Sequence, residues 1–348
     1  MAIGLSDFQF QLSPNKPAIY RDAAGVWYSQ EMRRWVVTSP ELIRQVMTSR
    51  AYSVPAYITG KLGARAGYDF SKLDFVTRYL PLAHEGEEHK RLRAQFAKLI
   101  ARNTPATLLA FSEALDARIE ACRSRTVFCL VQDLLLPSLR PVVCRLAGID
   151  LGMDVRVEEV PQLFDDAISG KRRLAIQATI EQIISASKLS DPEDTHIGIA
   201  ILAVSSNTLL GSLARSCIAQ LQAAEGSSMA QIEWSEDFSH TALGLVEKVV
   251  LADAELGGAK LKPGDRVRLL LDSAGYEHGG SESAYSDLFF AVGPHRCVGM
   301  SISRQIWGLL TARLAREKFG LRVMEVEHRQ GDYVFIFPSH CRVEVTQG

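Results

Sequence analysis

The chain has 348 residues, 47% of them apolar and 23% charged, with a formal net charge of −1. That balance fits a globular protein with a sizeable core and excludes a general binder of nucleic acid or of acidic membrane surfaces. The first residues show no basic stretch followed by an apolar one, so no signal peptide is expected. No uninterrupted apolar run approaches the roughly 18 residues of a membrane span. Six cysteines lie scattered, without CxxC spacing. The expectation is a reduced, cytoplasmic protein in which five of the six are small buried hydrophobes.

In chain order, the first 80 residues mix strand-like pieces, VWYSQ and RRWVVTS, with a helix, PELIRQVMTS. From residue 87 to about residue 221 apolar side chains recur three and four apart, the period of packed helices. Breaks are expected at residues 103–105, 148–152 and 190–192, where Asn, Gly, Ser and Pro collect. In ELGGAKLKPGDRVRLLL, Gly257-Gly258 and Pro263-Gly264-Asp265 punctuate apolar runs and predict a hairpin. The stretches GLRVMEV, YVFIF and CRVEV read as a small β group. The fold class is therefore mainly α with small β-sheets, in a single domain over residues 1–348.

Three stretches carry chemistry. In EEHKRLRAQFAKLI, Glu87 and Glu88 suit a helix N-terminus, and His89 and Arg93 share a face with Leu92, Phe96 and Ile100. Two basic groups on an apolar stripe call for a buried anion, because an unpaired buried charge is costly; the other reading is a solvated basic edge. In HIGIAILAVSSNTLLGSLARSCIAQL, the apolar run is broken by Ser205-Ser206-Asn207-Thr208. Those groups either bond back to carbonyls four residues earlier, bending the helix mildly, or form a polar notch over a site.

The third stretch is FFAVGPHRCVG. Cys297 lies between Gly293 and Gly299, just before a helix expected from about Val298. Unpaired N–H groups and the helix dipole there favour a thiolate. The glycines let backbone approach a flat ligand, His295 stands beside it, and Phe290 is placed to cover the sulfur. A plain loop with one buried cysteine is the alternative.

Together these stretches resemble the cytochrome P-450 family of heme-thiolate monooxygenases, specifically the soluble bacterial kind. The resemblance implies a cytochrome P-450-like fold and heme b, with Cys297 as the axial ligand of the iron. It places His89, Arg93 and His295 at the heme propionates. Lys248 stands where the family carries a propionate-binding arginine. Phe290, Gly293 and Gly299 match the family's cysteine loop, with Ala291 where glycine is usual.

The departures are specific. The family's E-x-x-R pair aligns with EWSEDFSH, putting Glu233 and Glu236 together. Two carboxylates repel, so one must be protonated or both must face water, and the packing around the cysteine loop is in question. On the central helix Ser206 replaces the family's acid, Asn207 replaces the threonine that manages protons during oxygen activation, and Thr208 keeps the second threonine. A one-residue slip would restore Thr208 to the catalytic place. The stretch between Asp150 and Ala203 and the segment DSAGYEHGGSESAYSDLFF are short for the family, so a reduced lid and a more open pocket are expected.

Three functions follow from the resemblance. The first is a heme-thiolate oxidoreductase modifying a small-molecule or carrier-tethered substrate in specialised metabolism, fed by separate ferredoxin and reductase proteins. The second is a peroxide-driven or non-redox transformation on the same heme. The third is a non-catalytic heme-binding or recruitment module. No nucleic-acid or membrane partner is expected. His84, His196, His240, His278, His328 and His340 form no metal-ligand spacing.

Overall fold

The computed structural model describes residues 25–30, 32–55, 67–149, 155–164, 168–187, 191–224, 227–271, 286–328, 334–335 and 338–347. Strands β1 (Val26–Ser29) and β2 (Arg34–Val37) pair antiparallel and lead into helix α1 (Pro40–Thr48). Ser39 caps α1 by accepting from the Leu42 N–H, and Pro40 fills the first turn, where its missing donor costs nothing. After β3 (Tyr52–Ser53) come α2 (Ser71–Arg78) and α3 (Gly86–Arg123).

Helix α3 runs 38 residues without a break, so the interruption expected at residues 103–105 does not occur. An interior proline costs a helix about 3 kcal/mol. Here Leu92, Phe96 and Leu99 before Pro105, and Phe111, Leu115 and Ile119 after it, are all buried along the helix. Each is worth roughly 1.5–3 kcal/mol, so packing outweighs the proline.

Next come β4 (Val127–Cys129), a π-helical stretch (Leu130–Leu135), α4 (Leu136–Leu146), a 3-10 segment (Val157–Phe164) and α5 (Gly170–Ala186). The core helix is α6 (Pro192–Ala224), packed against the 3-10 segment, α4, α2 and α3. By length and composition α6 could cross a membrane, but 78% of its apolar stretch is buried inside the protein. It is the centre of the main hydrophobic core. The only elements described between α4 and α6 are the 3-10 segment and α5, a reduced lid.

Strands β5 (Leu245–Val250) and β8 (Arg266–Leu270) complete a five-stranded sheet of order β1-β2-β8-β5-β3, parallel only between β2 and β8. The expected hairpin is β6 (Ala254–Leu256) with β7 (Ala259–Leu261), turned by Gly257 and Gly258 at φ +56° and +81°, values that suit an Asn-Gly- or Gly-Gly-type two-residue turn. Helix α7 (Met300–Leu314) precedes β9 (Gly320–His328) and β10 (Pro338–Thr346), which form the second sheet with β4. Of YVFIF, Phe335 bridges Leu243, while residues 333, 336 and 337 lie outside the described residues. So does most of DSAGYEHGGSESAYSDLFF, at residues 272–285.

Candidate functional site

The cysteine loop joins two 3-10 turns, Ser286–Phe290 and Gly293–His295, to α7. The Cys297 N–H closes it by donating to the Phe290 carbonyl at 2.7 Å. Gly293 has φ +74°, and a Cβ there would stand 2.7 Å from the Met47 carbonyl at the end of α1, so the chain needs glycine. Val298 and Gly299 form a turn, and α7 starts at Met300, two residues later than expected.

Cys297 is the exposed cysteine; Cys122, Cys129, Cys144, Cys217 and Cys341 are buried. Burial nonetheless pushes the Cys297 thiol up, opposed by hydrogen bonds from the Gly299 and Met300 N–H groups and by the charge of Arg93.

Helix α3 grips this loop. His89, 6% exposed, has Nδ1 2.9 Å from the Pro81 carbonyl and Nε2 3.1 Å from that of Pro294. A neutral imidazole has one N–H and can donate to only one of them. One turn later, Arg93 Nη1 donates to the Arg296 carbonyl at 2.5 Å. These two carbonyls bracket His295, whose ring lies on His89 with centroids 4.2 Å apart. Its Nε2 is 3.1 Å from Glu85 Oε2, and its Nδ1 is buried without a partner.

Lys248, on β5, is 4% exposed. Burial lowers its pKa, and the charge of Glu85 opposes that. His295 is lowered by burial and then by Lys248, against the hydrogen bond and charge of Glu85. Glu85 was not anticipated. It occupies the position preceding the first turn of α3, and an acid at that position next to a basic H-x-x-x-R helix was the available signal. Its Oε1 accepts from the Val54 N–H at 3.1 Å and from Ser53 Oγ at 3.3 Å.

The three polar residues of α6 are not brought onto one face. Ser206 Oγ donates to the Leu202 carbonyl at 2.8 Å and lines a small hollow with Leu136, Leu139 and Val157. Asn207 is fully buried, and neither amide atom has a partner. Thr208 Oγ1 bonds back to the carbonyls of Val204 and Ser205. At about 100° per residue, Ser206 and Thr208 point roughly 200° apart. Half-buried side chains in the middle of the helix include Val204, Ser205, Thr208, Ser212 and Arg215. Ser212 accepts from the Ala242 N–H at 2.9 Å, and Arg215 donates to the Thr241 carbonyl, so this face packs on the segment that leads into β5.

Glu233 and Glu236 lie on irregular chain and are both exposed, so the carboxylates face water. Aromatic side chains fill the space behind the loop instead. Trp234 meets Trp307 at 6.4 Å, Trp307 meets Phe238 at 5.3 Å, and Phe238 meets Phe290 edge-on at 6.0 Å. Trp307 Nε1 donates to the Ser235 carbonyl at 2.9 Å, and Arg304, ion-paired with Asp237, lies over the Phe290 ring.

No family model matches the sequence, and no curated protein is similar to it in sequence. By structure the chain is similar to P-450 BioI, solved in complex with acyl carrier protein ligated to hexadec-9Z-enoic acid, at 14% identity, with 97% of this chain and 99% of that chain covered and a TM-score of 0.75. It is similar to CalO2 at 16% identity, covering 99% and 98% at a TM-score of 0.73. A third likeness is to the P-450 heme domain of Tepidiphilus thermophilus, at 15% identity, 96% and 94% coverage and a TM-score of 0.71. The chain has the cytochrome P-450 fold over nearly its whole length.

Proposed function

On this fold, we propose that the chain binds heme b through the Cys297 thiolate and acts as an oxidoreductase on a small organic molecule. One observation carries the reading: an exposed cysteine and an unpartnered His295 nitrogen lie on one loop, and the buried Lys248 acts on that histidine from β5. A flat dicarboxylate carrying a thiolate-seeking iron fits that donor set. When bound, such a heme supplies oxygen or peroxide chemistry, and the thiolate's electron density favours O–O cleavage.

The residues divide the work. Cys297 ligates the iron, with the Gly299 and Met300 N–H groups stabilising its charge. Lys248, His295, His89 and Arg93 hold the carboxylates, as a point charge in the case of Lys248. Phe290, Gly293 and Gly299 shape the loop. Thr208 offers a hydroxyl on the half-open face of α6. The substrate is a small molecule or a carrier-tethered one in specialised metabolism, and the carrier reading draws support from the P-450 BioI complex and the reduced lid. Separate ferredoxin and reductase proteins deliver electrons in the cytoplasm, with no nucleic-acid or membrane partner.

Peroxide-driven or non-redox turnover is the second reading. Asn207 can donate a hydrogen bond but not a proton near neutral pH, and Ser206 is tied to Leu202 beside α4. General acid help is worth about 10²–10⁴ in rate, so its loss is measurable. The test is the absorption spectrum of the purified protein, reduced with and without carbon monoxide. A red-shifted Soret band that disappears in Cys297→Ala supports ligation; a wild-type spectrum without that band, or one unchanged in the variant, overturns it. Product yields with redox partners and dioxygen, with peroxide, and with neither then choose between the two reactions.

A further inference from the structure

We infer that Glu85 is a resident counter-ion of the cofactor's carboxylate site, competing with a heme carboxylate for Lys248 and His295. The inference rests on the heme reading above. Glu85 precedes α3 at the position where a side chain normally caps the helix, yet it makes no capping bond. Its carboxylate turns instead toward His295, at 3.1 Å, and is steadied on its other oxygen by the Val54 N–H and Ser53 Oγ. The Lys248 side chain is buried on β5, and Glu85 is the anion whose charge acts on it.

His89 and Arg93, the other basic side chains here, also contact the carbonyls of Pro294 and Arg296, so Lys248 and His295 are the groups Glu85 shares with the incoming carboxylates. Two carboxylates sharing Lys248 and His295 repel each other in a partly buried place. The Glu85 side chain is 42% exposed, against 13% for His295, so it can turn to water more cheaply than His295 can move. Glu85 thus holds His295 by a hydrogen bond and Lys248 by charge in the heme-free chain and opposes the incoming group.

The experiment compares wild type with Glu85→Gln, which keeps the shape and an acceptor for His295 but removes the charge. Heme-free protein is titrated with hemin and, separately, with hemin dimethyl ester, which has no free carboxylates. Removing one like charge should tighten hemin by about tenfold and leave the ester unchanged. Equal weakening of both would overturn the inference and make Glu85 a mere support for His295. Thermal unfolding of the heme-free proteins is the second arm: Glu85→Gln should melt lower, because Lys248 and His295 lose their anion. Wild type that binds neither probe refutes the heme reading. An unchanged melting temperature refutes the counter-ion, whatever the titration gives.

Discussion

The Arg93 guanidinium lies 2.5 Å from the carbonyl oxygen of Arg296, in the peptide that carries the Cys297 nitrogen. A side chain expected to meet the cofactor's carboxylate therefore also holds the loop that presents the thiol. Arg93→Ala should lose heme faster than Lys98→Ala or Arg102→Ala, since Lys98 is exposed and Arg102 pairs with Asp194 instead. A hydrogen bond from a charged group is worth about 1.5–3 kcal/mol, and the low end suits this half-open site. Heme transfer to apomyoglobin measures the rates; equal loss in all three variants would remove the special role of Arg93.

Behind the loop, stability should follow the aromatic cluster and not the carboxylates. Trp307 is fully buried, and its replacement by Ala should cost about 3–5 kcal/mol. Glu233→Ala and Glu236→Ala should stay within about 0.5 kcal/mol of wild type, as exposed residues do. Urea unfolding of the three variants decides the matter, and a large loss at Glu236 would show that the carboxylate is engaged after all.

Ala291 sits at φ +55°, in the left-handed region. A non-glycine residue there pays about 1–2 kcal/mol, while glycine loses about 0.4–1 kcal/mol through a freer unfolded chain. Ala291→Gly should therefore stabilise the protein by roughly 0.5–1 kcal/mol. A lower melting temperature would mean that the Ala291 methyl packs better than its backbone suggests.

On α6, Asn207 is buried with both amide atoms unpartnered. Exchange for Leu removes polar atoms that cost about 1–3 kcal/mol when unsatisfied, so Asn207→Leu should raise the melting temperature of heme-free protein. Thr208→Ala, on the half-buried face, should change stability little and the yield of product per reductant more. The reverse ranking would assign proton handling to Asn207.

The charge of Glu85 has a pH signature. Burial would raise its pKa, but hydrogen bonds from His295 and the Val54 N–H, with the charges of His295 and Lys248, hold it below its ordinary 4.5. A depressed carboxylate contributes stability that is present above its unfolded value and lost as pH falls through its folded value. The melting-point gap between wild type and Glu85→Gln should accordingly be full near neutrality and close in acid below pH 4.5. A gap that persists in acid would trace the difference to shape instead of charge.

The sequence by itself determined the helical body, the β6–β7 hairpin, the buried character of five cysteines and the loop that sets Cys297 between glycines. Those features are local: period, turn residues and spacing act over a few residues. Only the tertiary structure decided that α3 passes through Pro105, because the burial that outweighs the proline comes from other helices. It also decided that Trp307 and Phe238 brace the loop behind Phe290, since their contacts join segments some fifty to seventy positions apart. The same holds for Glu85. Its role depends on His295, 210 positions away, and on Lys248 in strand β5, and pairs of that separation leave no periodicity to read.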